Sequence, residues 1–211
     1  METLVHRLRD RLAQPLPGSA AQFEMASSIG RLLQAYREDH RESGVLALLY
    51  PVGGLPHVAL MKRSEDGHMH SGQISFPGGR REEVDADIVA TALREAEEEM
   101  AIPAADVQVL GRLSRLYLPP SNFMIYPVVG YLPYRPAFVP DPKEVAAVIE
   151  APLHMLLAPS TYGLREVQVM SQRLEVPAFV VHGHIVWGAT AMMLNELLHL
   201  LRDLGEHLVE R

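Results

Sequence analysis

Three carboxylates, Glu95, Glu98 and Glu99, are spaced i, i+3, i+4 within residues 85–102, DADIVATALREAEEEMAI. At 100° per residue they fall on one face of a helix, with Val89, Leu93, Ala96 and Met100 on the opposite face. Like charges at that spacing repel by roughly 0.2–0.5 kcal/mol per pair. They also occupy the last two turns, because Pro103 disfavours helix at Ile102, and negative charge there opposes the helix dipole. A merely solvated helix keeps its acids near its start, where Asp85 and Asp87 stand. One reading is an acidic surface face. The other is a divalent cation that offsets the repulsion; Mg²⁺ takes hard oxygen ligands and usually arrives with substrate phosphates.

What precedes the helix favours the second reading. Ile74 and Phe76 alternate in an apolar run that closes on Pro77-Gly78-Gly79. Paired glycines permit positive φ and close approach of backbone to a ligand. A strand, two glycines, a loop and an acidic helix in succession bring backbone carbonyls near the carboxylates.

The remaining elements follow from pattern. Helices are predicted over 2–12 and 26–37, separated by the Pro15–Gly18 break. Strands are predicted over 44–50 and 57–62, around a Gly53-Gly54 turn, and over 107–113, 124–132, 145–149, 167–169, 178–181 and 185–187. Residues 64–71 read as a loop and 155–158 as a helical turn. A last helix starts near Ala189, with a stripe of Leu194, Leu197, Leu198, Leu201 and Leu204. Strands flanked by helices predict an α/β fold, a mixed sheet with helices on both sides.

At 211 residues, with 48% hydrophobic content, the chain suits one domain, 1–211, in which 1–40 is a helical extension packed on the rest. A net charge of −7 argues against a nucleic-acid surface. The absence of cysteine excludes disulfides, thiolate catalysis and thiol metal sites. No apolar run reaches membrane-spanning length and the first residues lack a signal-peptide core, so the expected location is cytoplasmic, without a membrane partner.

Residues Gly79 to Ile102, centred on Arg94-Glu95-Ala96-Glu97-Glu98-Glu99, resemble the Nudix box, the signature of hydrolases that cleave a nucleoside diphosphate linked to another group. The sequence departs from the box in three places. There is a one-residue insertion between the glycine and Arg94. Asp85 is the residue nearest the upstream glutamate and reads as a helix cap. Ala101 stands where a glycine is expected. A second set of residues resembles the coenzyme A pyrophosphatase subgroup: Leu60-Met61-Lys62-Arg63-Ser64, His70-Ser71-Gly72-Gln73, Phe76 to Gly79, and downstream Pro127 to Gly130, Glu144-Val145 and Ile185 to Ala191. The segment between Ser64 and Gly72 is one residue short, and His68 stands where an arginine is usual.

The resemblance implies the Nudix α/β/α sandwich with its catalytic loop-helix-loop. It implies Mg²⁺-dependent hydrolysis of CoA, with acyl-CoA as a further substrate, to 3′,5′-ADP and 4′-phosphopantetheine; Mn²⁺ can substitute. Glu95, Glu98, Glu99 and the Gly78 carbonyl are the expected metal ligands. Arg94 is expected to orient a glutamate by a bidentate contact, and Glu98, Glu95 or Glu144 to act as general base. Arg63 is the first candidate for the CoA 3′-phosphate, ahead of Arg112 and Arg115; Ser64, His70 and Gln73 complete the substrate contacts. Glu97 is expected to face solvent. The partner is a small molecule, and the last helix or the N-terminal helices could support a homodimer. Two alternatives remain: hydrolysis of another nucleoside diphosphate derivative, such as ADP-ribose or a dinucleotide polyphosphate, and a non-catalytic nucleotide sensor.

Overall fold

Strand β1 (Arg41–Val52) is the spine of the molecule. Its side chains alternate, as extended backbone requires. Val45, Ala47 and Leu49 enter one core cluster, and Leu46, Leu48 and Tyr50 the other. Both faces are therefore buried, which explains the unbroken apolar run at these positions. The computed structural model describes residues 1–27, 36–65, 71–169 and 172–205.

Strand β2 (Leu55–Arg63) returns antiparallel to β1, but the two pair only from Leu49↔Val58 to Val52↔Leu55. Beyond that they part, and the chain of residues 74–80 is wedged between them. β3 (Ile74–Ser75) pairs with β2, and β4 (Gly78–Arg80) pairs with β1. The Leu46 amide donates to the Pro77 carbonyl at 2.8 Å, midway between the two short strands. This wedge brings the two glycines to the middle of the sheet.

β7 (Phe123–Tyr131) runs parallel to β1 and carries β5 (Gln108–Arg112) and β6 (Leu116–Leu118) antiparallel on its other side. β8 (Val145–Pro152) pairs with β2. Among the described residues these make an eight-stranded mixed sheet. β9 (Tyr162–Val169), β10 (Gln172–Val181) and β11 (His184–Trp187) form a separate antiparallel sheet.

The acidic helix α3 (Ile88–Met100) packs on one face of the large sheet. On the other face lie α1 (Glu2–Leu12) and α5 (Gly188–Asp203), with the short α2 (Ser19–Phe23) and α4 (Leu153–Leu157) beside them. The α/β/α sandwich is thus as expected. Every leucine of the α5 stripe is buried, at 9% exposure or less. The fully buried Glu196 of α5 accepts hydrogen bonds from the Gly18 amide, the Gln22 side chain and the Ser114 amide, and so ties the N-terminal segment to the sheet. Among the described residues no helix is long and apolar enough to cross a membrane.

Several boundaries differ from the pattern-based reading. α2 and β6 are additional elements. β9 begins at Tyr162, not at 167, because pairing with β10 overrides the charges of Arg165 and Glu166. The helix predicted over 26–37 and the loop over 64–71 lie in large part outside the described residues. α3 starts at Ile88, where the Asp87 carboxylate accepts from the Ala90 amide at 2.9 Å. It stops before Pro103 acts, at Ala101, which adopts a left-handed conformation with φ 54°.

Candidate active site

The α3 side chains do not divide into an apolar face and an opposite acidic face. Ile88, Ala92, Ala96 and Met100 are buried, but so is Glu99, at 2% exposure. Val89 and Leu93 are only half-buried. The correction has a simple cause. Strand β4 lies along the helix and widens the covered arc until it takes in Glu99. Glu95 is half-buried at the margin; Glu97 and Glu98 are exposed, Glu97 as expected.

The glycines make this approach feasible. Gly78 has φ 149°, and a Cβ there would stand 2.3 Å from the Gly44 carbonyl oxygen. A Cβ on Gly79 would stand 2.5 Å from the Glu95 carboxylate. Any side chain at either position would separate β4 from β1 or from the helix. The Gly78 amide donates to Glu99 Oε2 at 2.8 Å, and the Ser43 hydroxyl donates to the Gly79 carbonyl at 2.8 Å.

Asp85 is not a helix cap. It is buried, and it accepts from Arg94 Nε at 2.9 Å and Arg94 Nη2 at 3.1 Å. The Glu82 amide and the Thr91 hydroxyl donate to its Oδ2, each at 2.9 Å. The bidentate contact of Arg94 is therefore with Asp85, and from this anchor the same Nη2 also reaches Glu95 Oε1 while Nη1 reaches Glu98 Oε2, each at 3.0 Å. Hydrogen bonding from Arg94, against the cost of burial, holds the Asp85 carboxyl well below the usual carboxylate range. Its hydrogen bond to Asp85 raises the Arg94 guanidinium in turn.

Burial pushes the Glu99 carboxyl up to about 8. The Gly78 amide and Arg63, whose Nη1 is 3.5 Å from Glu99 Oε1, oppose this, while Glu95 and Glu144 add to it. Glu95 is raised too, by burial and by Glu98 and Glu144, against the pull of Arg94. The structure thus gathers carboxylates that repel one another beside a backbone amide. The Gly78 amide donates to Glu99, and the carboxylate oxygens fit a hard divalent cation in chemistry. Among the described residues, no three acidic or histidine side chains converge tightly enough to enclose one, and Arg94 draws Glu95 and Glu98 to itself.

The other expected residues fall around this group. The Ser64 amide donates to the Glu144 carbonyl at 2.9 Å, and its hydroxyl to the Pro142 carbonyl at 3.2 Å. The Asp141 amide donates to the Glu99 carbonyl at 2.9 Å, which docks the loop bearing Glu144 on the end of α3. Arg63 and Gln73 are linked through backbone, amide to carbonyl, at 2.9 Å. His70 and His68 lie outside the described residues. Asp85 is the residue whose role was misread. The signal for it was Arg94 itself, which needs a buried carboxylate to fix a guanidinium beside two glutamates.

Comparisons with known proteins agree with this geometry. The NUDIX domain family matches residues 40–168. The chain is 39% identical over 142 residues to the Nudix hydrolase NudL of Photorhabdus laumondii, itself uncharacterized, covering 67% of this chain and 75% of that protein. NudL of Pectobacterium atrosepticum is 39% identical over 152 residues, covering 70% and 77%. Among solved structures, the fold is similar to that of the Nudix hydrolase RenU of M. smegmatis (TM-score 0.54, 15% identity, 79% of this chain and 89% of that one). It is also similar to a MutT/nudix family protein of Enterococcus faecalis (TM-score 0.53, 12% identity, 90% and 77%). A double glycine wedged under an acidic helix, an arginine pinned between carboxylates and a family match across the whole of that unit lead to one conclusion: the chain belongs to the Nudix hydrolase family.

Proposed function

We propose that this protein hydrolyses the diphosphate linkage of coenzyme A, giving 3′,5′-ADP and 4′-phosphopantetheine, in a Mg²⁺-dependent reaction. The observation that carries the hydrolase reading is the buried Glu99 carboxylate, held against the Gly78 amide beside Glu95 and Glu144. CoA as the substrate is supported by the resemblance of the β2 end, residues 71–79 and the region around Glu144, which the fold gathers into one place through Ser64.

Glu95, Glu98, Glu99 and the Gly78 carbonyl are the groups that would hold Mg²⁺, or Mn²⁺ in its place. A bound divalent ion neutralises the diphosphate and lowers the pKa of a water. The chain's own residues supply the rest. Asp85 fixes Arg94, and Arg94 fixes Glu95 and Glu98. Glu98, 60% exposed, is open to water and can take a proton from it, and Glu144 in the neighbouring loop is the second group able to do so. We read the chain as one domain acting on a small molecule.

The shortened segment between Ser64 and Gly72 favours a second reading, in which another nucleoside diphosphate derivative such as ADP-ribose is the substrate. Turnover of CoA, 3′-dephospho-CoA and ADP-ribose, measured side by side with Mg²⁺, tests the two. CoA is expected to be the best substrate by kcat/KM. A higher value for ADP-ribose would replace the first reading with the second.

A further inference from the structure

Three aromatic rings and an arginine meet on the face of the large sheet that carries α3, beyond the start of that helix. Tyr36 packs edge-on against His40, with centroids 5.7 Å apart, and against Tyr117 at 6.2 Å; His40 and Tyr117 are 6.5 Å apart. The Arg115 guanidinium lies over the Tyr36 ring, 5.5 Å from its centroid. Tyr36 is 52% exposed, so this is an open surface and not a core. Arg37 is committed to Asp39 at 2.7 Å. Arg115 pairs with no carboxylate among the described residues. The group is also braced: the Tyr117 hydroxyl donates to Asn122 Oδ1 at 3.0 Å, and Asn122 Nδ2 donates to the Asp39 carbonyl at 3.2 Å.

The sheet places this group relative to the acidic site. Arg80, whose carbonyl accepts from Arg94, is in register with Ser43, Ser43 with Ile125, and Ile125 with Leu116. That row crosses three strand spacings, or about 14 Å. Tyr117 is in register with Met124, and Met124 with Glu42, on the α3 face. Arg115 and Tyr117, on either side of Leu116, therefore stand beside the catalytic helix at a distance comparable to the reach of a nucleotide from its diphosphate to its base.

The exposed Tyr36 ring and the half-buried His40 and Tyr117 rings in edge contact with it present faces to which a planar base can stack, and stacking on aromatic side chains is sequence-tolerant and strong. An arginine without a carboxylate partner matches a phosphate monoester by its planar fork. We propose that Tyr36, His40, Tyr117 and Arg115 form the subsite for the nucleoside end of the substrate, the rings taking the purine and Arg115 the phosphate on its ribose. This rests on the function proposed above and moves the phosphate contact away from Arg63, which faces Glu99.

The test is calorimetric titration of adenosine 3′,5′-bisphosphate and of adenosine 5′-monophosphate into the wild type, Tyr117→Leu, Tyr117→Phe and Arg115→Ala, alongside steady-state kinetics with CoA. Arg115→Ala should weaken the bisphosphate about tenfold and the monophosphate less than about twofold. Tyr117→Leu should weaken both about tenfold, and Tyr117→Phe, which keeps the ring and loses its bond to Asn122, both by about threefold or less. In kinetics the losses should appear in KM, with kcat within about twofold of wild type. No measurable binding of either nucleotide to the wild type, unchanged affinities in folded variants, or losses confined to kcat would overturn the subsite. If CoA is not cleaved yet the binding pattern holds, the proposed reaction falls and the subsite stands. If CoA is cleaved and the variants bind as the wild type does, only the subsite falls.

Discussion

Arg94 grips Asp85 through two hydrogen bonds of 2.9 and 3.1 Å, nine residues apart in sequence, and the two α3 carboxylates it touches, Glu95 and Glu98, are positioned from that anchor. Asp85→Ala would leave the guanidinium without its buried partner. The expected cost is about 2–3 kcal/mol of stability, because Arg94 retains some access to water and to Glu95 and Glu98. kcat should fall at least about tenfold, with KM little changed. Chemical denaturation and steady-state kinetics on the folded variant check both. Because the folded-state pKa of Asp85 is depressed, its stabilisation is complete above its ordinary value of 3.8 and fades as pH falls below it. Acid unfolding of the wild type should therefore lose part of its pH dependence in Asp85→Asn.

Glu99 has the opposite sign. Its folded-state pKa is raised to about 8 from 4.5, so the contribution to stability is fully present below 4.5 and lost as pH rises through about 8. The metal-free protein should lose stability over that window. Cation binding needs the carboxylate ionised, so the increase in melting temperature on adding Mg²⁺ should be larger at about pH 8.5 than at about pH 6. Equal increments at the two pH values would contradict it. Glu99→Gln should abolish the pH-dependent increment and lower kcat/KM by at least about a hundredfold.

The two glycines should separate by phenotype. A Cβ at Gly79 meets the Glu95 carboxylate, the end of a side chain, at 2.5 Å; one at Gly78 meets the Gly44 backbone at 2.3 Å. Gly79→Ala should fold and lose at least about tenfold in kcat by displacing Glu95. Gly78→Ala should lose about 2 kcal/mol or more of stability, since β4 and β1 must move apart. Paired thermal melts and kinetics distinguish the two outcomes.

Ala101 holds a left-handed conformation, φ 54°, at the end of α3. A residue with a Cβ is strained there and a glycine is not. Ala101→Gly should raise stability by about 0.5–1 kcal/mol with kcat unchanged, as denaturant titration would show. No gain would mean that packing around the methyl group offsets the strain.

Much of this was legible in the residues. The apolar run of Val45 to Tyr50, the Gly53-Gly54 turn and the leucine stripe of α5 are each local signals, and the structure keeps them. What periodicity could not convey is coverage by a neighbouring strand. Helical spacing sets Glu99 opposite the apolar face, because nothing in α3 announces that β4 lies along it. Asp85 looked like a cap because its partner is nine residues away, beyond any local pattern. The N-cap signal was genuine but belonged to Asp87. The placement of Arg115 and Tyr117 beside α3 likewise depends on β6 pairing with β7, a strand too short to read from sequence.

The most direct measurement is mass spectrometry of the products formed when the purified protein is incubated with CoA and Mg²⁺, against a control with EDTA. Metal-dependent appearance of 3′,5′-ADP and 4′-phosphopantetheine is the expected result. Intact CoA, with a folded protein that binds Mg²⁺, would contradict the proposed reaction.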